Sequence, residues 1–310
     1  MAGGMILPQL SIAGDLSSSK KLKNIGLQLF SLPLSLENDF EGTLSMIAAM
    51  GFKEIEIYGP YPFSAKSAKT RWREITPMLG FSGSGFFGLQ KERFKAVFEA
   101  NDLRIPAMHT DLDTLENHLE SLADAANFLG VKYVILPAIP EERRKNLDDY
   151  KVIADSFNTI GWNARKLGVK FAYHNHGYGL SEMEGEIPFE LLMERTDPKA
   201  VYLEMDLFWT VAGRADPIAY LKKYKNRYRL LHVKDMAQLQ HFAGDGGDPA
   251  QWIALFPNMT SAGSGVLDLP NILTIARKSG IKHFFIEQDM VKQPEVALKT
   301  SLDYLSTLDI

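Results

Sequence analysis

Four phrases along the chain share one grammar: "MGFKEIEI" (50–57), "LGVKYVIL" (129–136), "LGVKFAYH" (167–174) and "SGIKHFFI" (279–286). Each closes a stretch of helical spacing on a glycine and opens a short apolar strand. Glycine just past a helix end adopts the left-handed conformation without steric penalty. A chain that repeats helix end, glycine and strand is built from serial β/α units, and few folds accept that pattern. The candidate strands are 24–30, 53–59, 103–109, 132–138, 170–176, 200–206, 228–235 and 282–289. Amphipathic stretches such as "YKVIADSFNTIGWNARKLG" (150–168) separate them, with Val152, Ile153, Phe157, Ile160 and Leu167 at three- and four-residue steps.

Eight strands with intervening helices in 310 residues fit a single closed (β/α)8 barrel. A doubly wound open sheet is the alternative. It is weakened because "LFSLPLSLEND", after the first strand, has no glycine with which to cradle a dinucleotide. No linker divides the chain, so one barrel domain is expected over 23–310, preceded by a flexible leader over 1–22. The leader is apolar and then Ser-rich, and its first basic residue is Lys20. The chain as written reads as cytoplasmic. Export is the reading if Met1 lies inside a longer signal sequence.

The composition narrows the chemistry. There is no cysteine, which removes disulfides, thiolate metal sites and a cysteine nucleophile. The net charge of −4 supplies no broad basic field for nucleic acid, and no apolar run is long enough to span a bilayer. Neither nucleic acid nor membrane is an expected partner, while a homo-oligomer stays open. Any transition-metal site must be made of His, Asp and Glu.

Residues two apart on a strand share a face, and barrel active sites form at the strands' C-terminal ends. The fifth strand then aligns Ala172, His174 and His176. The sixth aligns Tyr202, Glu204 and Asp206, the seventh Leu230, His232 and Lys234, and the eighth Phe285, Glu287 and Asp289. Four successive strands thus end in two ionisable groups on one face. Burying them unpartnered would cost several kcal/mol apiece, so they are solvated, paired or gathered around a cation. One residue per strand gives the ligand set His174, Asp206, His232 and Glu287. That sulfur-free nitrogen and oxygen set suits one divalent ion, with manganese, zinc or cobalt foremost. His176 and Lys234, one step further out, are expected to face a substrate.

The phrases "YHNH", "EMDLFWTVAG", "RYRLLHVKD", "GSGVLDLPNIL" and "FFIEQD" together resemble the sugar phosphate isomerase/epimerase proteins of the xylose-isomerase-like barrel superfamily. The resemblance runs from "IGLQLFSLP" to "HFFIEQD" and implies a single-metal site on the same four residues. In the epimerases of that superfamily, two metal-bound glutamates from the fifth and eighth strands exchange protons with one carbon. Glu287 matches the eighth-strand glutamate, but His174 stands where the fifth-strand one would be. The resemblance also brings forward Trp209, as a stacking surface for a sugar ring, and Glu56, His109 and Glu204 as contacts to substrate hydroxyls.

The leading expectation is a metal-dependent isomerase or epimerase of a keto-sugar or related polyol. Glu287 would be the base, and His176 or Lys234 would make the second proton transfer. The alternative is a lyase or dehydratase acting on a keto-inositol or keto-glycoside through the same enolate, since one base suffices to begin elimination. More remote are a metal-dependent phosphodiesterase and a non-catalytic sugar-binding protein. Two glycine-rich stretches, "FSGSGFFG" (81–88) and "GSG" (263–265), have amides that could meet an anion, although a flexible loop is the simpler reading of the first and a turn before the last helix that of the second.

Overall fold

A computed structural model describes residues 21–22 and 25–310. Eight parallel strands form a closed barrel: β1 (Gly26–Gln28), β2 (Glu54–Tyr58), β3 (Arg104–His109), β4 (Tyr133–Leu136), β5 (Lys170–His174), β6 (Val201–Asp206), β7 (Tyr228–Val233) and β8 (His283–Ile286). Each strand pairs with its neighbour in sequence, and β8 closes onto β1 through Gly26 and Phe285. The expected (β/α)8 architecture is the one observed. Most of the leader lies outside the described residues. Its last part reaches the barrel, where Lys21 bridges Asp309 and Leu22 packs on the core.

The four helix-closing glycines behave as the sequence pattern predicts. Gly51, Gly130, Gly168 and Gly280 have φ of 111°, 79°, 85° and 107°, values an L side chain adopts only with strain. Several strands are shorter than expected at their C-terminal ends, although β3 and β6 end at His109 and Asp206 as expected. β1 gives way at Leu29 to a 3-10 turn (Leu29–Ser31), while β5 stops at His174 and β8 at Ile286. His176, Lys234 and Asp289 therefore stand just beyond the sheet, on the barrel's rim, whereas Asp206 is still the last residue of β6. After β7 the chain makes a long excursion. A two-stranded pairing of 235–236 with 259–260 forms its root, and the helix Pro249–Leu255 lies within it.

Period-two alternation along the strands stacks the barrel interior in layers. Ala107, Tyr133, Ile135, Ala172, Leu230 and Phe285 form a buried apolar plug. Two residues further along five strands come His109, His174, Glu204, His232 and Glu287, all buried as well. The apolar floor and the polar layer above it are thus one pattern read twice. Among the described residues, no helix is long and apolar enough to cross a membrane.

Candidate active site

His232 organises the polar layer. Its Nε2 donates to Glu56 Oε2 at 2.6 Å, and its Nδ1 lies 2.6 Å from Glu287 Oε2. His174 is oriented in a parallel way. Its Nδ1 donates to Glu204 Oε2 at 3.0 Å, and its Nε2 faces Asp206 Oδ2 at 3.8 Å. His109 Nε2 spans the two backing glutamates, 2.9 Å from Glu204 Oε2 and 3.1 Å from Glu56 Oε2. Gln28 Nε2 adds a bond to Glu56 Oε2 at 2.8 Å. Glu56, Glu204 and His109 thus form a deeper row. That row turns one nitrogen each of His174 and His232 toward Asp206 and Glu287.

Asp206 divides its two oxygens between structure and site. Oδ1 accepts from Trp209 N–H at 2.9 Å and so caps the helix Leu207–Ala212. Oδ2 makes no hydrogen bond although it is buried. His174 Nε2, His232 Nδ1 and Lys234 Nζ stand 3.8, 3.7 and 3.1 Å from it. Asn175, between the two histidines of "HNH", has a structural part: its Oδ1 accepts from Asp206 N–H and its Nδ2 donates to Thr210.

A divalent ion fits this arrangement. Donors held about 2.1 Å from a tetrahedral ion lie roughly 3.4 Å from one another, close to the separations around Asp206 Oδ2. That oxygen is orphaned, the donors are nitrogen and oxygen without sulfur, and the imidazoles are backed by carboxylates as metal-binding histidines usually are. Two groupings are close enough to hold an ion: Asp206, His232 and Glu287, and, deeper, His109, His174, Glu204 and His232. The four residues chosen from the sequence fall across both, and Glu204 and His109 sit among potential ligands rather than on the cavity's outer wall.

The charges are strongly coupled. Burial alone would lower the His232 pKa, but Glu204, Glu287 and Glu56 raise it well above the usual range. The same competition brings His109 up to about 9, through Glu56 and Glu204. Lys234 Nζ lies 2.7 Å from both Glu287 and Asp289. Desolvation opposes its charge, yet those carboxylates and Asp206 keep it firmly protonated. Burial and the nearby Glu287 charge raise Asp289 to about 7. His176 moves the opposite way: burial, helped by His174, takes it well below the imidazole range. Its Nδ1–H is engaged by Pro137 O at 2.8 Å, so Nε2 is left as an acceptor.

These groups line the base of a cavity of about 350 Å³, with His109, His174, His176, Trp209, Lys234, Glu287 and Asp289 on its wall. Trp209 stacks on His176 at 5.7 Å, and Lys234 Nζ stands 5.1 Å from the Trp209 ring centroid. Glu56 and Glu204 lie beneath the cavity and contact its lining at Gln28, His109 and His174. Asp289 stood on the right face of the sequence pattern without being selected. Trp252, which lies 4.3 Å from His176, comes from the excursion after β7, where no periodicity signals it. The two glycine-rich stretches are turns whose amides are taken by the protein's own carboxylates. Ser82 and Gly83 donate to Glu37, and Gly263, Gly265 and Leu267 donate to Asp235.

Comparison with known proteins places this geometry in context. An inosose dehydratase of Clostridium tetani is 30% identical over 210 residues, 66% of this chain and 66% of that protein's length. Inosose dehydratase 2 of Bacillus cereus is 29% identical over 280 residues, 86% of this chain and 89% of the relative. Among solved structures, a sugar phosphate isomerase/epimerase from Parabacteroides distasonis superposes with a TM-score of 0.70 at 25% identity, covering 97% of this chain and 98% of that one. The xylose isomerase-like TIM barrel family matches residues 44–308, nearly the whole barrel. With its eight closed strands and the polar layer at their C-terminal ends, the chain belongs to the xylose isomerase-like TIM barrel family.

Proposed function

We propose that this protein is a metal-dependent carbon–oxygen lyase acting on a cyclic keto-polyol or keto-sugar. It would remove a proton beside the ketone and expel the oxygen substituent one carbon further on. The observation that carries this reading is the buried Glu287–Lys234 pair, 2.7 Å apart, with His174 where a second carboxylate base would stand. One carboxylate and one ammonium make an acid–base couple for elimination. Two carboxylates on opposite faces, the requirement for symmetrical epimerisation, are not present in that position. The dehydratase relatives point the same way. The order of the two expectations from the sequence is therefore reversed, with the lyase ahead of the isomerase or epimerase.

Glu287 takes the proton from carbon, and the C–H electrons form the carbon–carbon double bond. Lys234 protonates the departing oxygen, which leaves as water or an alcohol. Passage of the proton from Glu287 to Lys234 across 2.7 Å restores both groups. His176, neutral with Nε2 free, accepts a hydrogen bond from a substrate hydroxyl, and Trp209 offers a face to the ring. His174, Asp206, His232 and Glu287 would hold one divalent ion, which when bound polarises the ketone and acidifies the neighbouring C–H.

The test is incubation of manganese-, cobalt- or zinc-loaded protein with an inosose in deuterated water. Appearance of an unsaturated ketone absorbing in the ultraviolet, with loss of one water by mass spectrometry, is the expected result. Deuterium entering carbon with no loss of mass as water would return the reading to an isomerase or epimerase, the name carried by the Parabacteroides structure.

A further inference from the structure

The cavity changes character toward solvent. Its base is ionisable, and Arg71 and Asp111 also reach it, but much of its remaining wall is made of Phe30, Tyr58, Trp72, Ile75, Met78 and Leu79 on one side of the sequence, and Trp252, Ile253 and Phe256 on the other. The helix Lys66–Leu79, after β2, supplies Trp72, Ile75, Met78 and Leu79. The excursion after β7 supplies the second group.

The polar handles of the aromatic residues are turned away from this space. Trp72 Nε1–H donates to Ser82 O at 2.8 Å, Trp252 Nε1–H to Gly246 O at 2.6 Å, and Tyr58 O–H to Gly83 O at 3.0 Å. What these rings offer a ligand is therefore hydrocarbon and π-surface rather than donors. Aromatic faces alone could serve the C–H face of a sugar, the part proposed for Trp209 nearer the base. Ile75, Met78, Leu79 and Ile253 cannot be explained so. A free polyol carries hydroxyls around its ring and would be desolvated against these side chains without replacement hydrogen bonds. Met78 is also 55% exposed, an apolar side chain left in water at the mouth of a binding cavity.

We infer that the outer half of the cavity is a subsite for an apolar, aryl-type substituent joined through oxygen to the keto-sugar. The expelled group would then be an alcohol or phenol rather than water. This deepens the proposed elimination and rests on it for the identity of the reacting ring. Electrons and atoms balance as in dehydration: the C–O bond to the aryl group breaks, that oxygen takes the proton from Lys234, and an unsaturated ketone remains. The subsite is built in advance. Gly247 O accepts from Arg144 at 2.6 Å, and the Asp235 carboxylate holds the amides of 263, 265 and 267 at the root of the excursion.

Binding and chemistry separate in the test. Phenyl β-glucoside and methyl β-glucoside, neither of which carries a ketone, are titrated into the metal-loaded protein by calorimetry. The phenyl compound is expected to bind at least tenfold more tightly. Met78→Gln and Ile253→Gln, on opposite walls and both at least partly accessible, should each reduce that preference severalfold. Equal affinities, absence of binding by both glucosides, or a preference that survives both substitutions would overturn the subsite. Ultraviolet assays with the corresponding phenyl and methyl keto-glucosides report separately on elimination. If no unsaturated ketone forms while the binding preference holds, the lyase reading has failed and the apolar subsite stands.

Discussion

Glu56 and Glu204 never meet the open part of the cavity, yet each fixes an imidazole. Reading substrate contacts from the sequence was reasonable for Glu56 and Glu204, because both share a strand face with polar neighbours. What the sequence hides is depth, since residues one step apart on a strand belong to different layers. With His232 held by Glu56 at 2.6 Å, Glu56→Gln should weaken divalent-metal binding by about 10–100-fold, measured by competitive chelator titration, with the circular dichroism spectrum retained. His109 carries a pH signature. Its pKa near 9 in the fold, above about 6.5 when unfolded, means the folded state binds the extra proton. That stabilisation, about 3 kcal/mol at most, is complete below pH 6.5 and is lost as pH rises through 9. Thermal melts of chelator-treated protein should fall over that window, and His109→Gln should make the dependence shallower, leaving the part due to His232.

At the level of elements, the barrel was legible because two periods, 3.6 and 2, alternate along the chain and glycines mark the joints. Which strand face turns inward was legible for the same reason: Ala172, Leu230 and Phe285 lie in the plug, directly below His174, His232 and Glu287. The aromatic wall was not legible. Trp72 sits on a helix whose apolar residues look like core, and Trp252 reaches His176 only because the excursion after β7 folds back over the mouth. Packing distances between elements were equally invisible. Gly161 lies in the helix Leu147–Lys166, where alanine ordinarily adds about 1 kcal/mol to stability. Here a Cβ would stand 2.4 Å from the carbonyl oxygen of Ala200, so the helix could not keep its approach to the chain entering β6. Gly161→Ala should therefore destabilise the protein by about 1–3 kcal/mol, read as a lower urea midpoint with an unchanged slope.

On the scale of the whole molecule, the buried carboxylates of Asp206 at the end of β6 and of Glu287 and Asp289 just beyond β8 converge around the Lys234 ammonium, and a bound cation should hold the barrel's mouth together. A divalent ion at 100 times its dissociation constant is expected to add about 2.7 kcal/mol of stability. Calorimetric melts with and without manganese check this, and Asp206→Asn should remove the increment. The plug of Ala107, Tyr133, Ile135, Ala172, Leu230 and Phe285 has a consequence for traffic. It fills the barrel axis, so substrate arrives and products depart through the same mouth. Under the proposed elimination, an expelled group lodged in the outer cavity would stand between the ring product and solvent and leave first. Release is then ordered: the unsaturated ring competes with substrate for the empty enzyme, whereas the expelled alcohol slows turnover without competing. Product-inhibition patterns would display that sequence as two different families of reciprocal plots, one for each departing molecule.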